Sequence, residues 1–121
     1  MFNALNSLLA TQLKKILKSE LHNQDRMNVY CVGEYWAAFD KSAYILNQLA
    51  PSSVESMPLN VKGYPFPLVM SYVYYPIIDA MCRNQAMSKR NMDYIQFMTD
   101  KIDRNSYDRW YDEVVNDDEE D

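Results

Sequence analysis

The stretch NVYCVGEYWAAFDKSAYIL, residues 28–46, is the most informative part of the sequence about the fold, because it contains one of only two glycines in the chain. An apolar, β-favouring run precedes Gly33, and an acid and two large aromatic residues follow it. Glycine adopts left-handed backbone conformations without steric cost, so Gly33 predicts a sharp turn at the end of a buried strand. We expect that strand over residues 27–32.

The residues after the turn predict aromatic side chains at the rim of a sheet, followed by a helix. Tyr35 and Trp36 are expected at the sheet edge, one exposed and one packed, with Phe39 returning to the core. The residue types alone are also compatible with three core aromatics. Helical spacing of apolar residues begins at Tyr35, and Asp40 is a suitable N-cap for a helix over residues 41–50.

The other elements are predicted from apolar spacing and turn residues. The N-terminal region predicts an amphipathic helix of about 18 residues. A short strand is expected over residues 57–62, with Gly63 at a turn or bulge. Residues 68–75 favour a strand by propensity but follow a proline suited to a first helical turn, and we predict a helix there. Helices are also predicted from Ser88 and from Ser106, which makes the C-terminal third helical.

Length and charge indicate one folded body with an acidic end. The 121 residues suit a single domain, and an apolar content of 48% is enough for a core. Seven of the 17 acidic residues fall within residues 112–121, where no basic residue occurs, so the 12 basic residues exceed the other ten acids by two. We predict an α+β domain over residues 1–111 and a disordered, solubilising tail over residues 112–121. The alternative for the tail is a phosphate mimic that occupies a basic surface.

Few residues are suited to catalysis or metal binding. Cys31 and Cys82 lie far apart without a CxxC motif, which favours buried reduced thiols over a disulfide or a reactive pair. A single histidine, His22, cannot form a histidine-based metal site or a catalytic triad. Two separated glycines exclude a glycine-rich phosphate loop. We therefore expect no enzyme activity, no metal and no cofactor. Without a long apolar run or a basic N-terminal leader, we expect a cytoplasmic protein with no membrane span.

The order of motifs around Gly33 resembles the N-terminal domain of the DNA mismatch repair protein MutS. That family begins with a helix, followed by an apolar strand ending in Gly-Asp-Phe-Tyr-x-x-Phe, a helix with an Asp-Ala pair, and a Pro-Met-x-Gly-x-Pro strand before another helix. The counterparts here are VGEYWAAF at residues 32–39, Ser42-Ala43, and MPLNVKGYP at residues 57–65. The resemblance covers residues 8–75 and implies a small mixed sheet packed with the N-terminal helix.

The resemblance also implies a ligand class. In mismatch-recognising members, the first aromatic residue of the motif wedges beside a mispaired base, and a glutamate two residues later hydrogen-bonds to that base. Tyr35 stands in the place of the wedge and Ala37 in the place of the glutamate. The resemblance therefore implies contact with nucleic acid without mismatch reading. No Walker A loop is present, and no ATPase activity is expected.

Two functions remain open from the sequence. The first is a non-catalytic module that contacts nucleic acid or a DNA-processing partner through Tyr35, Trp36, Lys62, Lys89 and Arg90, with further charge from Lys14, Lys15 and Lys18. The net charge of residues 1–111 is nearly neutral, which counts against this function because nucleic-acid binders generally carry a concentrated basic face. The second is a protein-interaction or structural module, including a homodimer, which eight methionines and ten tyrosines favour.

Overall fold

A six-stranded sheet forms the centre of the protein. The computed structural model describes the backbone of residues 2–120 and the side chains of residues 3–116. In this part of the chain the elements follow in the order α1 (Phe2–Leu21), β1 (Arg26–Val32), β2 (Tyr35–Phe39), α2 (Asp40–Leu49), β3 (Glu55–Leu59), β4 (Leu68–Tyr74), α3 (Tyr75–Asn84), β5 (Met87–Arg90), β6 (Tyr94–Met98) and α4 (Arg104–Glu120). The strand order across the sheet is β3-β4-β2-β1-β6-β5. The fold is therefore α+β, as predicted.

All five strand pairs of this sheet are antiparallel. Three of the pairs are hairpins, in which the two strands follow each other along the chain. A short connection returns a strand antiparallel to its neighbour, whereas a parallel pair needs a long crossover. The mixed sheet that was expected from the MutS resemblance is therefore wrong for the described residues.

Helices cover both faces of the sheet. The apolar stripe of α1 packs on one face, against side chains of β1, β2 and β4, and its most buried apolar residues are Leu5 and Ile16. The predicted N-terminal amphipathic helix is thus confirmed. On the other face lie α2 and α3, while α4 packs against α2 and the edge formed by β3 and β4. No helix within residues 2–120 is both long and apolar enough to cross a membrane.

The chain reverses at Gly33, where the sequence predicts a turn. Gly33 has a φ of 75°, and the turn pairs Val32 with Tyr35 at the start of the β1–β2 hairpin. A Cβ atom added to Gly33 would meet nothing within 4 Å. The backbone angle, and not a lack of space, therefore requires glycine at this position.

Residues 35–39 form a strand, and the helical spacing predicted from Tyr35 onward is wrong for them. β2 lies between β1 and β4 with both faces covered, so its last three residues are all buried. Apolar residues at nearly every position of a central strand cannot be distinguished from a short helix by periodicity. The sequence predicts Asp40 as the N-cap of α2, but Asp40 is the first residue of the helix. The observed N-cap is Phe39.

Two further predicted helices are strands. The segment predicted as helical over residues 68–75 is β4, and α3 follows it with Pro76 in its first turn. The β-branched and aromatic residues of β4 favour a strand, and pairing with both β2 and β3 realises this preference. The helix predicted from Ser88 is replaced by β5 and β6, where alternation places Ile95 and Phe97 in the core. The C-terminal third is therefore not helical throughout.

α4 extends further than the short helix predicted from Ser106. Its helical backbone runs to Glu120 and so includes most of the acidic segment over residues 112–121. The side chains beyond residue 116 and all of Asp121 lie outside the described part of the chain. The disorder and the solubilising role of this segment remain predictions.

A buried glutamate joins three elements of the fold. Glu20, near the end of α1, is 3% exposed. Its Oε1 accepts hydrogen bonds from the Ser42 N–H at 2.9 Å and from Asn23 Nδ2 at 3.2 Å. Its Oε2 accepts from Ser42 Oγ at 2.7 Å and from Asn28 Nδ2 at 3.0 Å. Because the N-cap Phe39 has no side-chain cap, Glu20 supplies the capping acceptor of α2 from another helix.

The junction of α1 and α2 contains a second polar contact. Lys41 Nζ donates to the Leu21 carbonyl oxygen at 2.8 Å, which places a cation at the C-terminal end of α1, where the helix dipole favours it. Burial raises the pKa of Glu20, while its hydrogen bonds from Asn28, Ser42 and Asn23 lower it. A carboxyl group can be buried here because both of its oxygens are hydrogen-bonded.

Asp40, at the start of α2, combines an unusual backbone with a largely buried carboxyl group. Its φ of 48° lies in the left-handed region, which Asp and Asn tolerate better than most residues. Its Oδ1 accepts the Val69 N–H at 3.2 Å and so ties α2 to β4. Burial raises the pKa of Asp40 to about 6; the Val69 hydrogen bond opposes the rise and the nearby Glu20 adds to it.

Removal of the Glu20 carboxylate should destabilise the fold. We expect Glu20→Ala to lose about 3 kcal/mol of unfolding free energy, because the Ser42 N–H and two side-chain amides lose their buried acceptor. Glu20→Gln retains one carbonyl oxygen and should lose less. Urea denaturation followed by circular dichroism measures both, with Glu34→Ala, which removes an exposed glutamate, as the control. Equal stability of Glu20→Ala and this control would contradict the capping role.

Asp40→Asn should remove a pH dependence of stability. Because the folded-state pKa of about 6 lies above the ordinary 3.8, protonation of Asp40 contributes stability that is complete below pH 3.8 and is lost as the pH rises through 6. Asn keeps the left-handed backbone and the Oδ1 acceptor without titrating. We expect Asp40→Asn to be more stable than wild type by up to about 3 kcal/mol near pH 8, and equal to it near pH 4.

Urea denaturation at a series of pH values tests this difference. Asp79→Asn, which makes the same chemical change at an exposed position on α3, is the matched control. Parallel stability profiles for wild type and Asp40→Asn would refute the assignment.

Candidate functional site

A groove lies between α1 and the β5–β6 hairpin. It is open to solvent and has a volume of about 890 Å³. α1 forms one wall, β5 and the following turn form the other, and β1 and β6 form the floor. The lining is mostly polar and consists of Ser7, Thr11, Gln12, Lys15, Ser19, Lys89, Arg90, Asn91, Asp93, Tyr94 and Gln96, together with Ala4, Leu8, Tyr30, Cys31 and Met92.

The groove carries positive charge on both walls. Lys15 lies on the α1 wall and Lys89 on the hairpin wall, against a single acid, Asp93. Lys89 pairs with Gln96 and projects from the groove face of the sheet, whereas Arg90 pairs with Ile95 and projects from the opposite face of this edge strand, beside the groove. Among residues 3–116, the side-chain ion pairs lie elsewhere in the chain, so no carboxylate is paired with any of the three cations. All three are exposed and accessible to an anionic ligand.

Two tyrosines and two amides form a hydrogen-bonded floor. The ring centroids of Tyr30 and Tyr94 are 5.2 Å apart. The Tyr94 hydroxyl donates to Asn28 Oδ1, and Gln96 Nε2 donates to the same oxygen at 2.9 Å. Asn28 in turn donates to Glu20, which links the floor to the α1–α2 junction. Burial raises the pKa of Tyr94, while the hydrogen bond with Gln96 opposes the rise.

Part of the predicted basic set meets in this groove. Lys89 of β5 faces Lys15 of α1 across it, and Arg90 lies next to Lys89 with its side chain on the other face of the edge strand. The strand order explains this arrangement, since β5 pairs with β6 and β6 pairs with β1 beside α1. Lys14 and Lys18 are exposed on α1 but do not line the groove.

Lys62, Tyr35 and Trp36 lie outside the groove. Lys62 is exposed in the β3–β4 connection beside Gly63, whose φ is 85°, and β3 is the sheet edge opposite to β5. Tyr35 and Trp36 project from opposite faces of β2, because neighbouring residues of a strand alternate in direction. The structure therefore does not bring the predicted aromatic contact residues together with the basic residues of β5.

Tyr35 belongs instead to a tyrosine cluster at one end of β2 and β4. Its ring centroid is 5.6 Å from that of Tyr72 and 5.5 Å from that of Tyr74, and the Tyr74 and Tyr75 centroids are 4.9 Å apart. Tyr74 and Tyr75 are 45% and 47% exposed. These four residues form a second surface feature. It consists of aromatic side chains, whereas the groove carries charged side chains.

The sequence interpretation misses the floor of the groove. Tyr94 and Gln96 alternate with Ile95 and Phe97, a period of two that indicates a strand with one polar face. The prediction of a helix for this region overlooks that alternation. Asn28 within an apolar run is a further signal, because a buried amide requires hydrogen-bond partners.

A smaller cavity lies between α2 and the segment that precedes α4. It has a volume of about 230 Å³ and is lined by Tyr44, Ile45, Gln48, Leu49, Thr99, Asp100, Lys101, Ile102 and Asp103. Within residues 3–116, no cluster of three or more His, Cys, Asp or Glu side chains is arranged to hold a metal. Cys31 and Cys82 are free thiols, and burial raises the pKa of Cys31.

Comparison of the chain with protein-family models, with curated proteins and with solved structures gave no match. The resemblance to the MutS N-terminal domain therefore remains a prediction. The groove between α1 and the hairpin is a candidate site on the strength of its own geometry and charge.

Proposed function

We propose that this protein is a non-catalytic binding module that holds single-stranded nucleic acid in the groove between α1 and the β5–β6 hairpin. The position of Lys15 and Lys89 on two facing walls, with Arg90 beside Lys89 at the sheet edge, carries this proposal. Phosphate contacts by Lys and Arg supply most of the affinity of sequence-independent nucleic-acid binding. Cations that already have carboxylate partners would contribute less, and these three have none among residues 3–116.

The shape of the groove favours a single strand over a duplex. A duplex is normally read by an element that inserts into its major groove, which is about 12 Å wide. Here the basic residues line a concave surface between a helix and a hairpin, which suits an extended backbone with phosphates on either wall. Tyr94, half-buried on the floor, offers a ring against which a base can stack, a contact worth about 1–3 kcal/mol per base.

The MutS resemblance agrees with this ligand class but not with the residues that it implies. Tyr35 and Trp36 lie outside the groove, and the substitution of Ala37 for the glutamate of the motif removes base recognition. We therefore propose nucleic-acid binding without mismatch reading, and with Lys62 outside the contact surface.

The tyrosine cluster favours a second candidate function. Exposed tyrosines are enriched in protein–protein interfaces because each combines a large apolar ring with a polar end. On this alternative the protein is an interaction module whose contact surface includes Tyr74 and Tyr75. Tyr74→Ser and Tyr75→Ser would then abolish partner binding, and changes in the groove would not.

Neutralisation of two groove cations should weaken nucleic-acid binding and flatten its salt dependence. Three phosphate contacts to a single strand predict a slope of about −2 for the logarithm of affinity against the logarithm of salt concentration. Lys89→Gln with Arg90→Gln leaves one cation and should reduce the slope to about −0.7. Fluorescence anisotropy with a labelled single-stranded oligonucleotide measures both slopes.

A matched control separates the groove from net charge. Lys62→Gln with Arg83→Gln also removes one lysine and one arginine, both exposed and both outside the groove, and should preserve affinity and slope. Equal effects of the two double variants would refute the assignment of the groove. Absence of binding by wild type even at about 10 mM salt, where screening is weakest, would refute nucleic-acid binding itself.

A further inference from the structure

We infer that the groove of one copy of this protein binds the acidic C-terminal end of α4 of a second copy. The groove is the acceptor surface, with Lys15 and Lys89 on its facing walls and Arg90 at the adjoining sheet edge. The occupant is the segment over residues 112–121, which holds seven acids and no base. Opposite charges on two surfaces of the same chain make a second copy the partner that the groove fits.

The acidic segment contains no basic residue that could balance its charge. Acidic side chains at the C-terminal end of a helix are unfavourable, because the helix dipole places a partial negative charge there. α4 runs through this segment to Glu120 and has no basic residue in its last turn. Contact with a cationic surface removes this penalty, so docking stabilises the helix end as well as the groove.

The topology favours contact between two copies over contact within one. α4 packs against β3 and β4, at one edge of the sheet, whereas the groove is formed with β5 at the other edge. Five strand spacings of about 4.8 Å separate the two edges by about 24 Å. A helix that is anchored at one edge and continues to its end does not turn back across the sheet.

Docking of this kind is head-to-tail, because the two surfaces in contact are different. Each copy keeps a free groove at one side and a free acidic end at the other, so the assembly grows beyond a dimer unless a ring closes. The acidic segment also competes with any nucleic acid for the groove, a consequence that rests on the proposed function. The self-association itself does not.

Light scattering of the full chain across a concentration series, without nucleic acid, tests the self-association. Wild type at about 10 mM salt should increase in mass beyond a dimer as concentration rises, and should return to a monomer near 1 M salt, where charges are screened beyond about 3 Å.

The groove variant carries Lys89→Gln and Arg90→Gln. The tail variant carries Asp117→Asn, Asp118→Asn, Glu119→Gln and Glu120→Gln. We expect the self-association of each variant to be weaker than that of wild type by about tenfold or more.

A control variant and a mixture make the test specific. Glu34→Gln, Glu55→Gln, Asp79→Asn and Asp100→Asn change net charge by the same amount as the tail variant at exposed positions elsewhere, and should leave association intact. An equimolar mixture of the groove and tail variants should form a heterodimer that grows no further, since it contains one intact tail and one intact groove.

The outcomes separate this inference from the proposed function. A wild-type monomer at low salt, a control variant as impaired as the tail variant, or a mixture that does not associate would each overturn the docking. Competition is read separately, as tighter oligonucleotide binding by the tail variant than by the control variant. Self-association without oligonucleotide binding would overturn the proposed function and support the docking. Oligonucleotide binding without self-association would overturn the docking and support the proposed function.

Discussion

The buried carboxylate of Glu20 is the interaction on which the arrangement of the protein depends. It accepts four hydrogen bonds from three residues, and these residues belong to the loop after α1, to β1 and to the first turn of α2. One side chain thus caps α2, holds the end of α1 against the sheet and orients Asn28. The cost of burying a carboxyl group is offset only because both oxygens are occupied, so the geometry of the three elements is tightly constrained.

This constraint reaches the groove through Asn28. One end of its amide donates to Glu20, and its oxygen receives the Tyr94 hydroxyl and the Gln96 amide. The floor of the groove is therefore part of the same network that fixes α1, which forms one wall. The other wall, β5, is an exposed edge strand with an irregular register near Met87, and its basic residues discourage further strand pairing. A hydrogen-bonded floor and wall thus face a more exposed wall, and among residues 3–116 no carboxylate pairs with Lys15, Lys89 or Arg90.

Particular residues show what could be predicted and why the rest could not. Gly33 indicates a reversal because a left-handed backbone angle is a local property of one residue. Lys89 and Arg90 are correctly identified as surface cations, but the helix predicted around them conceals their position on an edge strand. Tyr35 and Trp36 are adjacent in sequence and so look like one surface feature, yet a strand directs them to opposite faces. Periodicity does not distinguish β2 or β4 from a helix, since a strand covered on both faces has apolar residues throughout, and for β4 the β-branched and aromatic residues are the signal that the helix prediction sets aside.

Several features could be predicted from the amino-acid sequence alone: the amphipathic first helix, the strand before Gly33, the reversal at that glycine, the α+β class and the concentration of acid at the C-terminal end. Each of these follows from the backbone preference of one residue, from a local period or from composition. The burial of Glu20, the position of Lys15 opposite Lys89, and the packing of α4 against the sheet edge away from the groove are visible only in the folded structure. These features depend on the order of strands in the sheet, and pairing between segments far apart in the chain is set by the packing of the whole core.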